Sequence, residues 1–331
     1  MTETRSPSPT AGRAPGLGVP VVREAIRNVL GRLFGPPRFD PTTDPGDPGL
    51  TGPGSSSWQV IAEPAAIAGG IRGLLVQVAH PLAMAGVHDH SAFRTDPLGR
   101  LQRTAAYVTT TTFGSTREAL QVTQRVRSAH RRVHGTAPDG REYRADDPHL
   151  LAWVSIALTS SFLAAHRHWA PHPLADEDAF VAEQSRIGAL LDPRVDLRTL
   201  QRDGQAQAEL RSGRTHLPMI ADGTLPTTVA QLEEALTSYA PELGVNEQGR
   251  EALRFLRRPP IPLAARGGYR SLLTGALGSL EPPLRDALEL GWPPVVARGA
   301  VAQASASLMA MRALLGTSPA QRAAGQRAAN G

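Results

Sequence analysis

Nine of the ten histidines fall between His80 and His172, a clustering that raises metal or cofactor chemistry. His130 is the first candidate. It sits in Val126-Arg127-Ser128-Ala129-His130-Arg131-Arg132-Val133-His134-Gly135, towards the end of a helical stretch. Residues three and four apart share a helix face, so Arg127 and His130 can address one site. His130 and His134 also make an HxxxH pair with zinc-compatible spacing. A zincin would need a glutamate after the first histidine, and Arg131 stands there. A histidine favoured by the helix C-terminal dipole explains His130 without any ligand, so spacing alone leaves both readings open.

Arg100-Leu101-Gln102-Arg103-Thr104 is a second candidate. Arg100 and Thr104 lie one above the other on a helix. A guanidinium beside a hydroxyl can bind a carboxylate or stabilise an oxygen species, although a surface arginine beside a threonine has the same spacing. His80-Pro81 ends an apolar run, and His88-Asp89-His90-Ser91 reads as a short loop beyond it. That loop can ligate a metal, or Asp89 and Ser91 can close a turn on their own backbone. His166, His168 and His172 suit a helix C-terminus and receive no special role.

The elements that must position these residues are helices. Asp96-Pro97 caps a helix over Leu98–Thr112, and Ser115-Thr116-Arg117-Glu118 is a capping box opening a helix to Val133. Asp147-Pro148 opens Leu150–His168, whose serines and threonines and modest length predict a buried core helix. Glu63–Met84 keeps an apolar face through its glycines, and Asp178–Leu191 follows the same logic. Thr228-Val229-Ala230-Gln231 is a further capping box. Proline elbows separate the helices towards the C-terminus. Val108–Phe113 is the one stretch with marked β-propensity, and it sits in a helical frame.

Composition narrows the chemistry. The 331 residues hold no cysteine, which excludes disulfides, iron–sulfur clusters, Cys-zinc sites and a thiolate haem ligand. There is no lysine, and the net charge of +5 is spread as arginine among acids rather than along one stripe. That pattern speaks against nucleic acid. No apolar run reaches the roughly 20 residues of a membrane-spanning helix, and the start lacks the apolar core of a secretory signal. The expected compartment is the cytoplasm.

The order of the fragments carries more than any one of them. Val78-Ala79-His80-Pro81-Leu82-Ala83-Met84-Ala85-Gly86-Val87-His88-Asp89-His90-Ser91 is followed by Phe93, Asp96-Pro97, Arg100 with Thr104, and Phe113-Gly114. Then come Arg127 with His130, Gly135, Asp139-Gly140 with Tyr143, Asp147-Pro148 and Leu151 with Trp153-Val154. This set resembles the catalytic domain of the MpaB / latex-clearing-protein (rubber oxygenase) family over roughly residues 58–315. The flanks, 1–57 and 316–331, then read as a tail and linker with a short helix over Val19–Phe34, and a flexible tail. Met1–Gly18 and the end from about Pro319 are expected to be disordered.

The resemblance implies a single all-α domain with haem b buried between helices. It implies His130 as the axial iron ligand, with Arg100, Arg103, Thr104 and Arg127 around the haem. Arg100, Thr104 and His80 become the candidates for catalytic roles. The implied partners are O₂ and an apolar, isoprenoid-like small molecule. Haem binding without oxygenase turnover is one alternative. A non-haem metal site on His130, His134 and the His88/His90 loop is the other. Three positions depart from the family pattern: Arg103 stands where some members have lysine, and Ser155 stands where a histidine follows the Trp-Val pair. No glutamate occurs between Pro64 and Arg100 to match the base of rubber-cleaving members.

Overall fold

The computed structural model describes residues 18–35 and 38–330. Among them are seventeen α-helices and one two-stranded sheet, which bears out the all-α expectation. In chain order the first part comprises α1 (Gly18–Phe34), α2 (Ser56–Ala62), α3 (Ala65–Val78), α4 (Pro81–His90), α5 (Pro97–Phe113) and α6 (Thr116–His130). The short strands β1 (His134–Thr136) and β2 (Glu142–Arg144) follow, then α7 (Pro148–Trp169), α8 (Glu177–Ala189), α9 (Leu197–Arg202), α10 (Gly204–Arg211), α11 (Pro218–Ala221) and α12 (Val229–Tyr239). A 3₁₀ turn over Ala240–Glu242 leads to α13 (Glu247–Arg257), α14 (Leu263–Gly278), α15 (Pro282–Ala287), α16 (Pro294–Leu315) and α17 (Pro319–Ala329).

Four of these helices start on a capping side chain followed by proline, α17 through Ser318 and Pro319 among them. His80, Asp96 and Asp147 each accept a bond from the first turn, and Pro81, Pro97 and Pro148 occupy the first helical position. Proline has no N–H to waste there. The same proline breaks the single helix expected over Glu63–Met84 into α3 and α4, because its ring cannot continue a preceding helix. His88, Asp89 and His90, expected in a loop, form the last turn of α4.

The core is built on α3 and α7. Gly69 and Gly73 lie one turn apart on α3. A side chain at either would meet Phe162 or Leu158 of α7 at 2.8–2.9 Å, so the two glycines let the helices approach closely. Helix α7 is the one described helix long and apolar enough to cross a membrane, and 67% of its apolar window is buried inside the protein. That burial matches the core helix expected from its sequence. Helix α14 packs on both α3 and α16, completing the layer.

The β-prone run Val108–Phe113 is helical, the last part of α5. Packing on α6, and Thr109 and Thr111 hydroxyls bonded back to the preceding turn, outweigh propensity. The strands fall elsewhere. Asp139-Gly140 turns the chain, with Gly140 at φ +86, and pairs Gly135 with Tyr143. Helix α6 therefore stops at His130 rather than Val133.

The flanks are more ordered than a linker and tail would be. Residues 38–55 carry no helix or strand, yet Phe39 and Leu50 are buried. Asp47 accepts bonds from Thr116 N at 3.0 Å and Thr116 Oγ1 at 2.9 Å, and Asp44 accepts from Ser115 Oγ at 2.6 Å. Gly49, at φ +83, lies against the Gly114 carbonyl, where a Cβ would come within 2.5 Å. The end expected to fray from Pro319 is helix α17. Its Arg327 is buried and donates to the carbonyls of Asp47, Phe113 and Gly114. The expectation for residues 1–17 lies outside the described residues.

Candidate functional site

The α5–α6 hairpin positions most of the candidate residues. Gly114 and Ser115 are all that separate the two helices, and Ser115 with Glu118 forms both halves of the capping box. Eight residues to either side of Ser115, the Tyr107 phenol comes close to the Thr123 hydroxyl. The helices are thus in antiparallel register. Two turns further along each, Arg100 on α5 and His130 on α6 fall at the same open end of the hairpin.

Several polar groups along the hairpin lack partners. His130 Nδ1 is buried with no hydrogen bond, and the Tyr107 hydroxyl is buried without one despite Thr123 nearby. Burial pushes the His130 imidazole below its ordinary pKa, against a smaller upward pull from Asp146. The ring is therefore neutral at pH 7 with a free lone pair. Burial also pushes the Arg100 guanidinium down to about 10, with Arg103 repelling it. Arg100 makes no hydrogen bond or ion pair among the described residues; it is half-buried, and its guanidinium nitrogens keep access to solvent.

The other residues singled out by spacing are already committed. Thr104 Oγ1 donates to the Arg100 carbonyl at 3.2 Å. Arg103 pairs with the capping Asp96 at 3.2 Å, on the surface. Arg127 donates to the carbonyls of Val195 at 2.9 Å and Pro193 at 2.8 Å, tying α6 to the turn before α9. It shares a helix face with His130 but is spent on backbone.

His80 lies in a different place. It caps the N-terminus of α4, whose other end, about 15 Å along the axis at 1.5 Å per residue, reaches β1 through His90 and the His134 carbonyl. The ring of His80 is wholly buried against Trp153, Tyr239 and His149. Burial pushes its pKa down, with Glu242 opposing.

The alternative metal set is not assembled. His88 is engaged by Asp89, Gln248 and Arg94, His90 bonds backbone, and His134 is exposed on β1. Among the described residues, the one group with ligand atoms close enough to share an ion is His80, His149 and Glu242. Sequence reasoning missed His149 and Glu242, which lie 93 residues apart. Neither carries a motif, and only the packing of α12 on α7 brings them together.

Comparison with known proteins agrees with this picture of the chain. Two mycobacterial relatives are similar over 200 residues at 26% identity, covering 59% of this chain and 68% of theirs. They are "Uncharacterized protein Rv2237" of Mycobacterium tuberculosis (strain ATCC 25618 / H37Rv) and "Uncharacterized protein Mb2261" of Mycobacterium bovis (strain ATCC BAA-935 / AF2122/97). No solved structure matches significantly. Residues 58–315 match the family described as "ER-bound oxygenase mpaB/B'/Rubber oxygenase, catalytic domain". The chain belongs to that oxygenase family.

Proposed function

We propose that this protein is a haem b-dependent oxygenase acting with O₂ on an apolar, isoprenoid-like small molecule, with His130 as the axial iron ligand. One observation carries the reading. At the open end of the α5–α6 hairpin, a buried imidazole nitrogen has no hydrogen-bond partner, and a guanidinium on the neighbouring helix has no ion pair among the described residues. A buried, unpartnered nitrogen such as His130 Nδ1 is costly unless a ligand satisfies it. The donor set fits haem b: a neutral imidazole takes the iron, and a cation accepts a propionate.

When bound, haem b supplies the iron centre at which O₂ is activated. The protein's own part is positional and electrostatic. His130 is held by the last turn of α6, which the Arg127 bonds to Val195 and Pro193 anchor. Arg100 stays positively charged at pH 7 and has no ion pair among the described residues, which leaves it available to an anionic group. Thr104 bonds back within α5, and Arg103 ties that helix to its capping Asp96. The Tyr107 phenol, kept protonated by burial, offers a donor.

Absorption spectroscopy tests the reading. The purified or haemin-reconstituted protein is expected to show a Soret band that shifts with dithionite, and His130→Ala to lose it. A wild-type protein that takes up no haemin overturns the proposal. Haem uptake with no substrate-dependent O₂ consumption across apolar isoprenoids would favour haem binding without turnover. Ser155 at the family's histidine position motivates that second reading; its hydroxyl lies against Gly188.

A further inference from the structure

We propose that His80, His149 and Glu242 form a divalent transition-metal site of open coordination, separate from the His130 end of the α5–α6 hairpin. The argument begins with protons. The Tyr239 hydroxyl has one proton and donates it to the His149 carbonyl at 2.7 Å. Towards His149 Nδ1, 3.2 Å away, it can then only accept. The ring proton of His149 therefore sits on Nδ1, and Nε2 presents a lone pair. That lone pair faces the Glu242 carboxylate, at 2.8 Å from Oε1 and 3.0 Å from Oε2. Two acceptors at this separation need a cation between them, either a proton or a metal ion.

His80 distinguishes the two. It is 0% exposed, and its Nε2 lies 3.4 Å from Glu242 Oε2 with no hydrogen bond. A proton on His149 satisfies the pair of His149 and Glu242 and leaves His80 orphaned in the protein interior. A metal ion satisfies all three, since the ligand atoms lie within 4.8 Å of one another. Bonds of about 2.0–2.1 Å to zinc place tetrahedral ligands roughly 3.3 Å apart, close to the 3.4 Å between His80 Nε2 and Glu242 Oε2. Ligation through Nε2 puts the His80 proton on Nδ1. The helix cap that Nδ1 accepts from Ala83 N is long at 3.4 Å, and this bond would be given up.

The surroundings are those of a metal site. Tyr239 fixes the His149 tautomer from behind and stacks on its ring at 4.5 Å, the outer-shell role that orients ligating histidines. Trp153 and Tyr239 wall the His80 side with aromatic rings. The solvent side is open, with the His149 side chain 53% exposed, which gives an ion a way in and leaves coordination positions for water. Two imidazoles and one carboxylate suit zinc or ferrous iron.

The test uses the full untagged chain, stripped with a chelator and titrated with Co²⁺ and Zn²⁺ by calorimetry and visible absorption. One equivalent should bind, Co²⁺ should develop d–d bands, and Zn²⁺ should displace it. His149→Ala and Glu242→Gln should each weaken binding by roughly 100-fold or more, at least the loss typical of outer-shell substitutions. Both residues are partly exposed, so these variants should fold; His80→Asn is the more disruptive change. No stoichiometric binding, or binding unchanged in both variants, overturns the proposal and leaves an imidazolium–carboxylate pair. The haem reading is independent: His149→Ala should keep its Soret band, and His130→Ala should keep its Co²⁺ bands.

Discussion

Histidines in this protein differ by what holds their ring nitrogens. His130 offers a buried nitrogen to no one, His149 turns its Nε2 to a carboxylate, and His166 is buried with its Nε2 facing the His172 carbonyl at 3.1 Å. Burial pushes the His166 pKa below 6.5, and the His172 carbonyl, Glu63 and Glu177 only partly oppose it. The sign follows from linkage. A histidine with a depressed folded-state pKa binds fewer protons folded than unfolded, so its stability contribution is full above pH 6.5. That contribution is lost as pH falls from 6.5 through the folded value. Urea midpoints measured from pH 7.5 to 5 should therefore fall, and more shallowly for His166→Gln than for the wild type. Parallel slopes would show that His166 titrates as it does in the unfolded chain.

At the scale of elements, the α5–α6 hairpin is the unit that carries the proposed haem site. Its corner is tied by Ser115, which accepts from Glu118 N at 3.2 Å and donates to Asp44 at 2.6 Å. Ser115→Ala removes both bonds and should cost about 1–2 kcal/mol, read as a lower urea midpoint with an unchanged slope. This part of the fold was legible in sequence: Ser115-Thr116-Arg117-Glu118 is a capping box on paper and in three dimensions. The box at Thr228 is less regular. Thr228 accepts from Gln231 N, but the Gln231 side chain reaches the Thr227 amide instead. The β-hairpin escaped a reading based on propensity. Asp139-Gly140 marks a hairpin turn by its dipeptide, and three-residue strands are too short to show alternation.

Across the whole molecule, residues 39–58 and helix α17 meet over the hairpin corner. Phe39, Trp58, Phe113, Ala320 and Ala324 form one small apolar cluster, with Trp58 and Phe113 edge to face at 5.3 Å. Arg327 passes between them, 1% exposed, and satisfies three carbonyls from two distant segments. Arg327→Met keeps the volume but leaves those carbonyls without a donor. It should destabilise the protein by about 2–4 kcal/mol, measured as a lower thermal and urea midpoint. Deleting residues after Gly316 should cost at least as much. A tail that frays would tolerate both changes.

The sequence by itself determined the all-α class, the caps at Asp96, Ser115 and Asp147, and the family. Caps, prolines and apolar periodicity act over a few residues, and the ordered motifs from His80 to Trp153 lie in one continuous stretch. It also brought Arg100 and His130 forward, because both sit in short motifs on neighbouring helices. Only the tertiary structure decided which polar groups are free and which are spent. Arg127 and Thr104 share a helix face with their motif partners, yet bond backbone carbonyls. His80 left the group it had been read with and joined His149 and Glu242. Hydrogen-bond satisfaction and burial depend on segments tens to hundreds of residues away, which local spacing does not encode.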